Sequence, residues 1–202
     1  ILADAYFLSG TDQYQTRSVA EALARAESSA NRALALDDQI AEAHTVKACI
    51  LQGRQQPEEA MIEFRRAIDL KPTYSVAHLR YAYFLMWGLR IDQALSHMKR
   101  AQQLDPASPI TNAALGSVLL VAREYDEAIK YSQRALELEP TQMAARINLA
   151  DAYLEKKMFT EALRELDKIP ERNDEYVIAE KGYAYAVAGR KQEAMKLFAQ
   201  LE

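Results

Sequence analysis

Alanine recurs at Ala26, Ala60, Ala94, Ala128 and Ala162, each 34 residues from the last, and Ala194 follows after 32. Three further registers share the period. Ala33, Ala67, Ala101 and Ala135 lie seven residues after the first four alanines, Leu36, Leu70, Leu104 and Leu138 ten after, and Asp38, Pro72, Pro106 and Pro140 twelve after. Twelve residues before the later alanines stand Ala48, Ala82, Gly116, Ala150 and Gly182. Such a period marks one supersecondary unit used repeatedly, whose apolar face is buried only by the next copy.

Each period reads as two antiparallel helices. A small residue such as Ala48 faces another such as Ala60, so the helices approach closely, and Leu51, Leu85, Leu119, Tyr153 and Tyr185 fill the space between crossings. Proline then stops the second helix, because its ring lacks an N–H and clashes with the preceding turn. Composition agrees: alanine is the commonest residue, and the 202-residue chain holds only 6 Gly and 6 Pro. The pattern predicts twelve helices, at 1–8, 18–37, 41–54, 57–70, 74–88, 91–104, 108–122, 125–138, 142–156, 159–169, 174–188 and 191–201. Leu2-Ala3-Asp4-Ala5-Tyr6 copies Leu149-Ala150-Asp151-Ala152-Tyr153. Ala3 to Ala26 is longer than the usual spacing, so a long connection over residues 9–16 is expected, with a lengthened helix after it.

These positions resemble the tetratricopeptide repeat (TPR) family. The match rests on a small residue at repeat position 8, Leu or Tyr at 11, Ala at 20, a bulky residue at 24 (Phe64, Met98, Phe198), Ala at 27 and Pro at 32. Its best stretch runs from Ile110 to Pro140, with Leu115-Gly116, Leu119, Tyr125-Asp126-Glu127-Ala128 and Ala135-Leu136-Glu137-Leu138-Glu139-Pro140. The Trp usual at position 4 is absent; His44, His78, Asn112, Arg146 and Ile178 stand there. The resemblance implies an all-α solenoid, a right-handed superhelix of antiparallel helix pairs. Its divisions would be an irregular N-terminal unit, 1–40, and repeats 41–74, 75–108, 109–142, 143–174 and 175–202. The start at Ile1, without an initiator Met, and the want of polar capping helices suggest a piece cut from a longer protein, with self-association through its uncapped ends as one outcome.

The family binds peptides or domains in a concave groove lined by the first helix of each repeat. Carried over, the lining is Thr45 and Cys49; Leu79, Tyr83, Met86 and Trp87; Ala113, Ser117 and Leu120; Ile147 and Asp151; and Tyr183. Most are apolar, and a large bare apolar patch implies something that covers it. The clamp that holds carboxylate tails of heat-shock chaperones requires Lys and Asn at positions 5 and 9. Here those positions read Thr45/Cys49, Leu79/Tyr83 and Ala113/Ser117.

Chemistry is scarce. Three histidines, His44, His78 and His97, lack the spacing of a metal site and read as packing residues. Cys49 has no neighbouring cation and reads as a small apolar filler. The chain shows no Gly-rich phosphate loop and no nucleophile–base pair, so no enzyme, cofactor or metal is expected. A net charge of −4 with scattered Lys and Arg argues against nucleic acid as a partner, and no apolar run is long enough to span a membrane. The expected partner is a protein or peptide.

A narrower likeness sits in Ala33-Leu34-Ala35-Leu36-Asp37, Ala41-Glu42-Ala43-His44, Glu63-Phe64-Arg65-Arg66-Ala67-Ile68 and Ala122-Arg123-Glu124-Tyr125-Asp126. These look like the C-terminal TPR regions of bacterial regulators that carry a winged-helix domain, an adenylate cyclase or a kinase. The likeness implies a cytoplasmic regulatory scaffold. The alternative is an assembly factor for a secretion, pilus or envelope complex, with the periplasm as its compartment.

Overall fold

The computed structural model describes residues 13–169 and 175–201, in which there are eleven α-helices and no strand. They divide into two compact units at the Gly88–Leu89 bond. The first unit holds α1 (Gln13–Leu36), α2 (Ala41–Gly53), α3 (Pro57–Leu70) and α4 (Ser75–Trp87). The second holds α5 (Ile91–Leu104), α6 (Pro109–Val121), α7 (Tyr125–Leu138), α8 (Met143–Glu155), α9 (Phe159–Asp167), α10 (Glu175–Val187) and α11 (Lys191–Phe198). The predicted helix 1–8 lies outside the described residues. The expected connection over 9–16 is corrected at its end: residues 13–16 are already helical, so the lengthening falls on α1. No residue in that stretch breaks a helix, because Gly10 precedes it and Pro does not occur before Pro57.

Proline opens α3 and α6 at the first turn, where its missing N–H costs nothing. Ser108 caps α6 by accepting a hydrogen bond from the Thr111 N–H through its side chain. The turn between the two helices of a repeat always contains one left-handed residue: Gln55, Leu89, Arg123, Lys157 and Gly189. Four of the five carry a Cβ in a conformation that favours glycine, at a cost of about 1 kcal/mol each.

In the first unit, neighbouring helices pack α1 on α2, α2 on α3, and α4 on both α2 and α3. Its centre is aromatic: the Phe64 ring lies 5.5 Å from the rings of both Tyr81 and Phe84. Ala48 and Ala60, the small pair read from the repeat, are wholly buried.

In the second unit, α7 packs against α6 and α8, α9 against α8 and α10, and α11 against α10. Ala94, Ala128 and Ala162 are completely buried. Gly116 shows why the position must be small: a Cβ there would stand 2.4 Å from Ser132 Oγ and 3.4 Å from the Ala128 carbonyl. At Gly182 the same atom would meet the Phe198 ring at 2.6 Å.

Two substitutions test this packing. Ala128→Leu is expected to cost about 1–3 kcal/mol by overpacking its crossing, and Ala122→Leu, at a half-buried site, clearly less. Equal urea midpoints would contradict the register. Lys157→Gly, at the left-handed turn between α8 and α9, is expected to raise stability by up to about 1 kcal/mol. A lower midpoint in the same titration would show that the turn is unstrained.

Candidate functional site

The first helices of the repeats are α2 and α4 in one unit, and α6, α8 and α10 in the other. On α2, Thr45 is buried and its hydroxyl donates to the Ala41 carbonyl at 2.9 Å. Cys49 is half-buried, and burial pushes its thiol up to about 12. A thiol so hard to ionise is a poor nucleophile and a poor ligand. On α4, Leu79 is buried, whereas Tyr83 and Met86 are half-buried and Trp87 is 53% exposed. Thr45 and Leu79 are therefore packing residues and do not present an open surface. What α4 offers outward is the row Tyr83 and Trp87, one turn apart, with Met86 beside them.

The second unit departs from expectation at α6. Ala113 is buried, and its carbonyl accepts a hydrogen bond from Asn148 Nδ2 at 2.8 Å. The Ser117 hydroxyl donates to Asn148 Oδ1 at 3.0 Å. Positions 5 and 9 of this helix thus fasten α8 to α6. Sequence reasoning missed Asn148, although a lone amide in the apolar run Ile147–Ala150 was a visible signal. Leu120 is half-buried, and Val121, next along, is 49% exposed.

On α8, Ile147 packs against the core formed by Ala150, Leu163, Leu166, Ile169, Val177 and Ala184. Asp151 is half-buried. Burial first, and then the charges of Glu180 and Glu155, push its carboxyl up to about 7. On α10, Tyr183 is 54% exposed and Val187 lies bare one turn further on. Glu180 was not foreseen as a neighbour of Asp151, because it stands outside the lining positions of the repeat.

Three family models, each described as tetratricopeptide repeat, match residues 41–74, 88–142 and 119–179. The chain belongs to the tetratricopeptide repeat family. No curated protein matches it by sequence. Among solved structures it is similar to PilW, described as a widely conserved type IV pilus biogenesis factor, with 22% identity, a TM-score of 0.80, and 95% of this chain and 93% of that one covered. It is also similar to Pseudomonas aeruginosa PilF (22% identity, TM-score 0.74, 99% of this chain and 90% of that one). A third is YrrB, described as a TPR protein with an unusual peptide-binding site (19% identity, TM-score 0.65, 85% of this chain and 89% of that one).

Within the TPR frame, the missing Trp of position 4 has a polar replacement. His44 and His78 each place Nε2 on the carbonyl six residues earlier, Asp38 at 2.9 Å and Pro72 at 3.1 Å. Asn112 donates to the Pro106 carbonyl at 3.0 Å, and Arg146 to that of Pro140 at 2.5 Å. Four side chains of three kinds thus hold the turn that leads into their own helix. Two also reach the second helix of their repeat. His44 Nδ1 lies 2.5 Å from Glu63 Oε2, and Arg146 donates to Glu165 at 3.1 Å. Burial opposes ionisation of Glu63, but hydrogen bonds from Lys47 and His44 outweigh it and keep its carboxyl below the usual range. The two histidines are buried as packing residues would be, yet their contacts are polar.

Among the described residues no group of three or more His, Cys, Asp or Glu is placed to hold a metal ion. No described helix is long and apolar enough to cross a membrane.

Asp151 makes stability depend on pH. Its folded pKa lies near 7, above the ordinary 3.8, so the folded chain holds this proton more tightly than the unfolded one. That stabilisation is complete below about pH 4 and is lost as pH rises to about 7. Asp151→Asn removes the dependence. Its gain over the parent chain is expected to be on the order of 2 kcal/mol at pH 8, after allowance for solvent at a half-exposed group, and to shrink toward zero near pH 4. Urea midpoints at the two pH values measure it, and a constant difference would contradict the burial of this carboxyl.

Proposed function

We propose that this chain is a non-catalytic interaction scaffold, the partner-binding part of a larger bacterial regulator, which takes a peptide or domain on the first-helix faces of its units. The observation that carries the reading is the bare apolar surface on those helices. Trp87 in one unit, and Val121 and Tyr183 in the other, are each about half exposed or more, although their helices are otherwise well packed. Aromatic side chains held on rigid helices are efficient anchors, since little side-chain freedom remains to be lost. A TPR array is generally an interaction scaffold, which supports the absence of chemistry. The regulator assignment rests on the four sequence segments that look like C-terminal TPR regions of such proteins.

An assembly factor for a pilus, secretion or envelope complex is the second reading. It is supported by likeness to PilW and PilF over nearly the whole chain, at an identity that speaks to fold alone. The gene region upstream of Ile1 separates the two. A winged-helix, cyclase or kinase domain favours the regulator, and a secretion or lipoprotein signal favours the assembly factor.

Binding by the α4 face has a direct test. A photo-crosslinking amino acid placed at Trp87 in the full-length protein, in its own cells, is expected to capture a discrete partner, while one at Arg134 on α7 captures none. Tyr83→Ala combined with Trp87→Ala is expected to weaken binding of that partner by about 2 kcal/mol or more with the circular dichroism unchanged. Trp87 emission should be red-shifted and open to aqueous quenchers. A blue-shifted, protected Trp87 and an unfolded double variant would show that these rings are core.

A further inference from the structure

The first-helix face of the second unit combines bare apolar side chains with uncompensated negative charge. Val121 on α6 and Tyr183 and Val187 on α10 supply the apolar part. Asp151 stands among them at the middle of α8. It is faced by Glu155 on its own helix and by Glu180 on α10.

The cations of the neighbouring helices are committed elsewhere. Lys181 follows Glu180 directly, but it is buried with its amine 3.7 Å from Asp167. Arg146, on α8 itself, is held by Glu165 and the Pro140 carbonyl. Lys156 pairs with Asp126. Glu155 accepts a hydrogen bond from the Tyr125 hydroxyl at 3.0 Å, which brings no charge. Asp151 therefore sits at a partly desolvated spot under the negative charge of Glu180 and Glu155, and among the described residues no cation acts to lower its pKa.

We propose that this face takes a peptide segment carrying a lysine or arginine between apolar side chains, with the cation seated at Asp151 between Glu155 and Glu180. The proposal deepens the scaffold reading and rests on it. Like charges brought together at low local dielectric repel, and a cation placed between them replaces that repulsion with attraction. The flanking apolar groups of the segment would cover Val121, Tyr183 and Val187 and exclude water, which strengthens the ion contact further. An acidic segment or a free C-terminal carboxylate would add another negative charge to the same spot. The charge complementarity thus selects one polarity of ligand, opposite to that of the chaperone-tail clamp. Tyr183 is suited to flank the cation, since its ring face attracts positive charge.

The test uses the whole 202-residue chain and a random peptide library displayed on phage. The enriched peptides, labelled with fluorescein, are titrated against the parent chain, against Asp151→Asn with Glu180→Gln, and against Tyr183→Ala. Folding of each variant is checked by circular dichroism, and loss of a carboxylate is expected to leave the fold at least as stable. The expected result is a shared Lys or Arg with apolar neighbours in the enriched peptides. Binding should be at least tenfold weaker to the carboxylate double variant. Changing the peptide cation to norleucine should cause a similar loss with the parent chain and little further loss with the double variant. If the enriched peptides share no basic residue, or bind the double variant as tightly but lose affinity for Tyr183→Ala, the cation proposal falls and the binding face stands. If no peptide is enriched, or none distinguishes any of these variants, both readings fall for this unit.

Discussion

Two helices of a repeat can cross closely only where neither carries a large side chain at the crossing, and the rest of this structure depends on that constraint. At Gly116 the surroundings lie so near that even a methyl group would stand 2.4 Å from Ser132 Oγ. The same closeness brings the Phe198 ring to within 2.6 Å of where a Cβ at Gly182 would stand. Because the crossings are tight, the larger residues between them, Leu85, Leu115 and Leu119, are sealed from water. Close-packed contact of that kind carries most of the stability of a chain whose short helices would be marginal alone.

Small residues bring helices together but do not set which repeat neighbours which. That register comes from polar contacts. Asn148 uses both ends of its amide, donating to the Ala113 carbonyl and accepting from Ser117, and so ties α8 to α6 at one offset. The side chains at position 4 act over a shorter range, each closing the turn before its own helix. A buried amide left unpaired by a slip of one turn would cost about 1–3 kcal/mol, so these contacts penalise misalignment more than they reward the native state. In α6 the groups so engaged are the Ala113 carbonyl and the Ser117 hydroxyl.

What remains outward on the first helices is mixed in character. In the first unit it is aromatic, around Trp87. In the second it is apolar with an acidic centre at Asp151. The raised pKa of that carboxyl is a cost the fold bears, since a neutral side chain of the same shape would serve packing better.

The period, the helix pairing, the buried alanines and the proline stops were all legible in the amino-acid sequence, because each follows from the size and backbone chemistry of single residues at fixed spacing. The same periodicity placed Trp87 and Tyr183 on open faces. It could not tell that Thr45, Leu79 and Ala113 are buried, because lining positions carried over from a family describe a direction along a helix and not how far the next helix covers it. The extension of α1 back to residue 13 was hidden because no breaker marks its start. The left-handed turns at Gln55, Leu89, Arg123 and Lys157 were hidden too, since only Gly189 carries the residue that announces such a turn. The meeting of Asp151 with Glu180, and the turning of Lys181 toward Asp167, were decided by tertiary structure alone. Electrostatic environment depends on distances between separate helices and on what water is excluded, and neither quantity is written in the order of the residues.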